Sequence, residues 1–273
     1  MTEDPDAALA AAAFGDAPGR WPLPAATTPR QRWLRAVAAG GQGRYASAGT
    51  DLAALLREAP AGPLASLAHS TQASFLRQLG GHERARGLDG RALALACTDH
   101  EADPETTEAT ADALVGLAAD ALGVGRFAAS AALLERAVGL PQPTAPARLA
   151  VRRNWVTAEL AMVTGDGATA VRHAEHALEL TPETMARHRV KSRVVLAGAL
   201  CCAGSVDKAR AVADTALHDA DRLGLVPLRW ALACMLIDLV DAAGARDTVE
   251  ELLKLRDDAA ELVRHRGGRW QRG

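Results

Sequence analysis

A glycine followed five residues later by a small residue, and twelve residues later by another apolar one, recurs along this chain. Clear copies begin at Gly43, Gly80, Gly125, Gly165 and Gly204, and a degraded sixth copy begins at Gly244. Successive glycines are 37, 45, 40, 39 and 40 residues apart. A period in this range is typical of stacked helical hairpins, in which each unit packs on its neighbours. The repeat therefore predicts an all-α protein built as a solenoid.

The repeated positions have distinct roles in a helical hairpin. The glycine ends the first helix, because a left-handed backbone costs little without a Cβ atom. The small residue lies near the start of the second helix, where the paired backbones approach closely, and the next apolar residue lies two turns later on the same face. The small residues are Ala48, Ala85, Ser130, Ala170 and Ala209, followed by Leu55, Ala92, Ala137, Ala177 and Ala216.

The composition agrees with a helical protein. Hydrophobic residues make up 49% of the chain, yet it has only 3 Phe, 1 Tyr and 5 Trp, so the apolar material is chiefly Ala, Leu and Val. Alanine has the highest intrinsic helix propensity. Only Lys191, Lys208 and Lys254 among the 31 basic residues are lysines. Together with the alanine excess, this is typical of a GC-rich bacterial genome of the actinobacterial type.

Charge and cysteine content favour a cytoplasmic protein. The net charge of −2 argues against a dedicated nucleic-acid binder, which normally carries a strongly basic surface. The four cysteines include no CxxC pair. The first residues are acidic, unlike a signal peptide, and no run of about 20 apolar residues exists. We therefore expect a cytoplasmic chain with no membrane partner and no cofactor.

The chain divides into three parts. Residues 1–28 are rich in Pro and Ala without a sustained period, and we expect them to be disordered. Residues 29–265 carry the helical repeats. Residues 266–273 form a polar, glycine-rich basic tail that we expect to be flexible. This tail concentrates positive charge beside Trp270. It could contact nucleic acid or an acidic partner, and the alternative is a solvated tail without a partner.

The repeat resembles the tetratricopeptide repeat (TPR) family. The segment 165–182 matches the second half of that family's consensus, and the segments 125–140 and 43–60 fit it as well. The units depart from it by exceeding the family's length of about 34 residues and by lacking its usual Trp–Leu–Gly pattern in the first helices. The resemblance implies a right-handed α-solenoid of about six antiparallel helical hairpins.

The resemblance also implies a binding groove, since the first helices of TPR units line a concave face that holds peptides. The corresponding residues here are Ser70, Ser74, Arg77, Gln78, Arg152, Trp155, Glu159 and Lys191. Arg152 and Lys191 occupy equivalent places in adjacent units, so their charges are placed to converge on one carboxylate. The alternative is a solvated helix face on which arginine side chains cover alanine surface.

Other candidate sites have plain structural alternatives. His173 and His176 share a helix face and could bind a metal, or form an exposed pair without a ligand. The segment 97–103 holds residues that can bind metals, but without a recognised spacing, so a polar loop is the simpler interpretation. Cys201 and Cys202 could sense oxidation or serve as small core residues. We therefore predict no metal site.

No motif of nucleophilic, phosphate-binding or zinc-dependent catalysis occurs. The sequence predicts a non-catalytic interaction module or scaffold that binds a peptide or protein surface in the concave groove. The alternative is a regulatory sensor that binds a small ligand or a signalling peptide.

Overall fold

The computed structural model of the protein describes residues 4–96, 103–140, 146–241 and 246–271. All regular elements within these ranges are α-helices, which confirms the all-α prediction there. They are α1 (Pro5–Phe14), α2 (Pro29–Gly41), α3 (Tyr45–Glu58), α4 (Gly62–Gln78), α5 (His82–Ala96), α6 (Pro104–Gly123), α7 (Phe127–Val138), α8 (Ala147–Val163), α9 (Gly167–Glu179), α10 (Ala186–Cys202), α11 (Val206–Arg222), α12 (Val226–Asp241) and α13 (Arg246–His265). Across the described part of the chain, no helix has both the length and the apolar character needed to cross a bilayer.

Helices adjacent in sequence pack against each other. From α2 onward, each even-numbered helix packs on the odd-numbered helix that follows it. The even-numbered helices also pack on one another in order: α2 on α4, α4 on α6, α6 on α8, α8 on α10 and α10 on α12. We call α2, α4, α6, α8, α10 and α12 the inner helices, because their side chains line the cavity described below.

The predicted roles of the repeated residues are confirmed wherever the structure describes them. Gly43, Gly80, Gly125, Gly165 and Gly204 all have φ between 74° and 84°, the left-handed region in which glycine ends a helix at least cost. The small residue five positions later is fully buried in each of these five copies. Close approach of paired helices therefore explains the excess of alanine. Gly244 lies outside the described residues.

The prediction of disorder over residues 1–28 is wrong for the N-terminal helix. Asp4 accepts a hydrogen bond from the Asp6 amide and caps α1, and Pro5 occupies the first turn, where its missing N–H costs nothing. Leu9 and several alanines of α1 are buried against α2. The helix also reaches α10, because the Ala186 amide donates to the Gly15 carbonyl oxygen at 3.2 Å. This partner lies far away in sequence, so local periodicity does not reveal it.

The expectation of a flexible tail is corrected for residues 266–271, which pack against the first units of the array. The Ala46 amide donates to the Arg266 carbonyl at 3.0 Å, and the Gln271 amide donates to the Leu79 carbonyl at 2.9 Å. The Trp270 ring lies 4.2 Å from the Trp230 ring, centroid to centroid. The beginning and the end of the array of helices therefore touch each other.

Candidate functional site

A cavity of about 380 Å³ lies where the inner helices meet. Each inner helix contributes side chains to its lining, and α1 adds Phe14. The lining combines aromatic rings with an unusual number of cations. The aromatic residues are Phe14, Trp33, Phe75, Trp155 and Trp230, and the cations are Arg77, Arg148, Arg152, Arg187 and Lys191. Ligand pockets in proteins commonly have this order of size and combine apolar walls with a few polar groups.

The structure brings all eight predicted groove residues to this one cavity. Four come from α4, three from α8 and one from α10: Ser70, Ser74, Arg77 and Gln78; Arg152, Trp155 and Glu159; and Lys191. Ser70 is buried whereas Gln78, two turns later, is exposed, so the α4 residues run from the interior toward solvent. The geometry thus matches the groove assignment, and binding by these residues remains a prediction.

The expectation that Arg152 and Lys191 converge on one carboxylate stays a prediction. Each already contacts a carboxylate of this chain. Arg152 Nη1 pairs with Asp112 Oδ1, and Lys191 Nζ lies 3.1 Å from Glu159 Oε1. These two cations are therefore partly neutralised before any ligand arrives.

Sequence reasoning missed Arg148, one turn before Arg152 on α8. Its side chain is 6% exposed and donates Nη2 to Glu108 Oε1 at 2.6 Å and Nη1 to Asp112 Oδ2 at 2.8 Å. Both carboxylates lie on the neighbouring helix α6. This buried ion triad connects the third and fourth units of the repeat.

A signal for these residues exists in the register of the repeat. Glu108, Arg148 and Arg187 are 40 and 39 residues apart, which is the spacing of the glycines in the same units. Asp112, Arg152 and Lys191 follow each of them by four residues. The same two places on the inner helices therefore hold acids in the third unit and cations in the fourth and fifth.

Arg187 differs from the other cations because it makes no ion pair within the described part of the chain. Its Nη2 donates to the Ala13 carbonyl oxygen at 3.0 Å, and its Nε is buried without a hydrogen-bond partner. Burial lowers the pKa of Arg187 to about 10, and the positive charge of Arg148 contributes. Burial likewise lowers the pKa of Arg152 to about 10, with Arg77 and Arg187 adding to the shift and Asp89 opposing it.

His188 joins this cationic cluster to the aromatic wall. Its ring stacks on Trp155 with a centroid distance of 5.6 Å and an interplanar angle of 24°, and Phe14 lies 6.0 Å away on another side. Burial lowers the pKa of His188 well below its ordinary value, and the charges of Arg187, Arg148 and Arg152 lower it further. The imidazole is therefore neutral at pH 7 and adds a flat, uncharged surface.

A second buried network holds Arg77 in place. Arg77 Nη1 donates to Asp89 Oδ2 at 2.8 Å, to Asp120 Oδ1 at 2.5 Å and to the Gly116 carbonyl oxygen at 3.1 Å. Both carboxyl groups are fully buried. Burial raises the pKa of Asp120 to about 7, and the negative charge of Asp89 adds to this while Arg77 opposes it. One arginine thus faces two acids, and below about pH 7 one of them holds a proton.

This network predicts the effect of Asp120→Asn. The pKa of Asp120 is 3.8 in its ordinary state and about 7 in the folded protein, so stability from this group is full below pH 4 and is lost as pH rises through 7. Asparagine mimics the protonated acid, since its amide accepts from Arg77 and donates to Asp89. We expect the variant to gain stability relative to wild type between pH 5 and 8, by up to about 1.4 kcal/mol per pH unit. Urea denaturation at each pH measures this.

Asp219→Asn is the matched control for that experiment. Burial raises the pKa of Asp219, but Arg222 and Arg193 outweigh it, so the net direction is downward. The stability that Asp219 adds is present above its ordinary pKa and is lost only in acid, so the cost of this control should be constant from pH 5 to 8. A flat difference between Asp120→Asn and wild type over the same interval would refute the shared-proton account.

The other sequence candidates do not assemble into sites. His173 Nδ1 lies 2.8 Å from Asn154 Oδ1. No group of three or more metal-ligating side chains occurs within residues 4–96, 103–140, 146–241 and 246–271. Cys201 and Cys202 are exposed, which corrects the core alternative, and the oxidation-sensing prediction is untested. Residues 97–102 of the polar loop lie outside the described residues.

No protein-family model matches this sequence, and no curated protein is significantly similar to it. The cavity and its charges therefore carry the functional argument.

Proposed function

We propose that this chain is a non-catalytic regulatory sensor that binds a small ligand or the end of a signalling peptide in the cavity between its inner helices. The observation that carries this proposal is the convergence of all six inner helices on one cavity of about 380 Å³. A concave site of this size suits a compact ligand better than an extended protein surface.

A TPR-like, right-handed solenoid of about six hairpins is the architecture we propose for this sensor. Support comes from the left-handed glycines at the turns, the buried small residues after them and the sequential packing of neighbouring helices. The contact between first and last units is an addition to that architecture, because it brings the two ends of the array together.

A peptide-binding scaffold is the second candidate function. One observation favours it: the α4, α8 and α10 residues nearest solvent are polar and accessible. Gln78 is exposed, and Glu159 and Lys191 each keep 32% of their side-chain surface exposed. A peptide could enter the cavity past these residues with the remainder of its chain outside.

A thermal-shift screen of the full chain against metabolites and short peptides tests the sensor proposal. A ligand that binds only the folded state raises the melting temperature by mass action. We expect the ligand-induced rise in melting temperature to be absent in Ala231→Phe. Ala231 is partly accessible on α12 and lines the cavity, so the larger ring occupies space that a ligand needs. Ala128→Phe, on the exposed face of α7, should retain the rise.

The screen separates the two candidate functions. Compact hits that Ala231→Phe abolishes support the sensor. Hits limited to longer peptides support the scaffold instead. A screen in which nothing shifts the melting temperature, or in which Ala231→Phe retains every hit, rules out the cavity as the binding site.

A further inference from the structure

We propose that the cavity selects a ligand with a carboxylate attached to a flat apolar group, and that Arg187 binds the carboxylate beside the stacked rings of His188 and Trp155. This inference rests on the proposed function, because it specifies the ligand of the same cavity. A small aromatic acid and a peptide ending in an aromatic residue both have this chemistry.

The arrangement of charges singles out Arg187. At the two equivalent places on the inner helices, the third unit supplies Glu108 and Asp112 and the fourth supplies Arg148 and Arg152, and these four side chains pair with one another. Among the described residues, no such pair of acids on a neighbouring unit faces the cations of the fifth unit, Arg187 and Lys191. Lys191 finds Glu159, one turn after Trp155 on α8. Arg187 is therefore the cavity-lining cation that has no carboxylate partner among the described residues.

The total charge around the cavity leads to the same result. Five cations line it: Arg77, Arg148, Arg152, Arg187 and Lys191. The acids that contact them are Asp89, Asp120, Glu108, Asp112 and Glu159. Asp89 and Asp120 share Arg77, and burial raises the pKa of Asp120 to about 7, so below pH 7 the two acids hold one proton and about one positive charge around the cavity is uncompensated. A monovalent anion such as a carboxylate neutralises it.

Three residues that line the cavity have a buried side-chain donor without a hydrogen-bond partner: Arg187 Nε, Arg77 Nη2 and Ser70 Oγ. Buried donors are normally paired in folded proteins. A guanidinium group binds a carboxylate well because its planar N–H groups match the two carboxylate oxygens. A carboxylate bound at Arg187 therefore supplies an acceptor that the described part of the chain does not.

The flat part of the ligand has a complementary surface. Trp155 and His188 are stacked, Phe14 lies beside His188, and Phe14 also lies 5.4 Å from Trp33. Arg187 and His188 both line the cavity, and the charge of Arg187 acts on the His188 imidazole, so the aromatic surface lies near the unpaired cation. Aromatic rings favour offset or edge contacts with a further ring. A ligand with an aromatic ring one or two bonds from its carboxylate satisfies both features.

Calorimetric titration of the full chain with matched acids and amides tests this proposal. The first pair is phenylacetate and phenylacetamide, and the second is the tripeptide Ala-Ala-Phe with a free carboxylate and with a C-terminal amide. We expect each acid that enters the cavity to bind at least tenfold more tightly than its amide at pH 6.5. Tighter binding of the tripeptide acid identifies a peptide terminus as the source, and tighter binding of phenylacetate identifies a small acid.

Variants of α10 locate the carboxylate. Arg187→Gln should remove the tenfold preference, and Arg187→Lys should keep part of it by retaining the charge. Arg193→Gln is the matched control on the same helix, because Arg193 pairs with Asp219 and does not line the cavity. It should keep the full preference.

Several results would overturn the proposal. Equal binding of acid and amide by wild type does so, as does a preference that survives in Arg187→Gln. Binding of amides alone would leave the sensor function standing and reject the anion assignment. Failure of all four probes also rejects the assignment, and the broad thermal-shift screen then decides the sensor function separately.

Discussion

The free energy of unfolding of the variant Arg148→Met should be about 3 to 5 kcal/mol lower than that of wild type, which is the usual cost of removing one partner from a buried ion pair. Arg148 is almost completely buried and donates to both Glu108 and Asp112. In the variant Glu108 loses this partner, whereas Asp112 keeps Arg152. Urea denaturation with unchanged m-values measures the loss as a shift in midpoint.

A double variant identifies the cause of this loss. Glu108→Gln removes the negative charge that Arg148→Met leaves without a partner, so adding it to that variant should recover part of the lost stability. Arg193→Met is the control, since its partly exposed pair with Asp219 should contribute no more than about 1 kcal/mol. Equal losses in the two arginine variants would show that the triad contributes no special stability.

The helices of this protein were predictable because their ends carry local signals. Asp103 directly precedes Pro104, a residue type favoured in the first helical turn, and its carboxylate accepts a hydrogen bond from the Thr106 amide at 2.8 Å. The inner face followed from the resemblance to TPR units, whose first helices line a concave groove. All eight predicted groove residues line the same cavity.

The contacts that close the array were not predictable from the sequence. Register shows that Arg148 and Arg187 occupy equivalent places, but it does not show how far neighbouring units rotate or which acid each cation meets. The same holds for α1, whose Ala-rich sequence has no clear period and whose partner on α10 lies more than 170 residues away. Such pairings depend on the curvature of the whole array, to which every interface between units contributes.

Deleting residues 266–273 should lower the free energy of unfolding by about 3 kcal/mol. The deletion removes two backbone hydrogen bonds and the hydrogen bond from Arg266 Nη1 to the Gln42 carbonyl oxygen at 2.7 Å. It also removes Trp270, which packs on Trp230 and donates Nε1 to the Ala260 carbonyl oxygen at 3.2 Å. The four hydrogen bonds, at about 1 kcal/mol each, set the scale of this loss. Trp270→Ala should account for much of the loss, and the exposed Arg269→Ala should change little.

Hydrogen exchange distinguishes a closed array from an open one. In an open solenoid each unit is stabilised by its neighbours, so loss of the tail would affect only the last helices. Here the Ala46 amide donates to the Arg266 carbonyl, more than 200 residues away. Deletion should therefore increase the rate of amide hydrogen exchange at α3 and at the end of α4 as well as at α13. Faster exchange confined to α12 and α13 would show that the contact between the two ends does not stabilise the array, because the first units would then hold their structure without it.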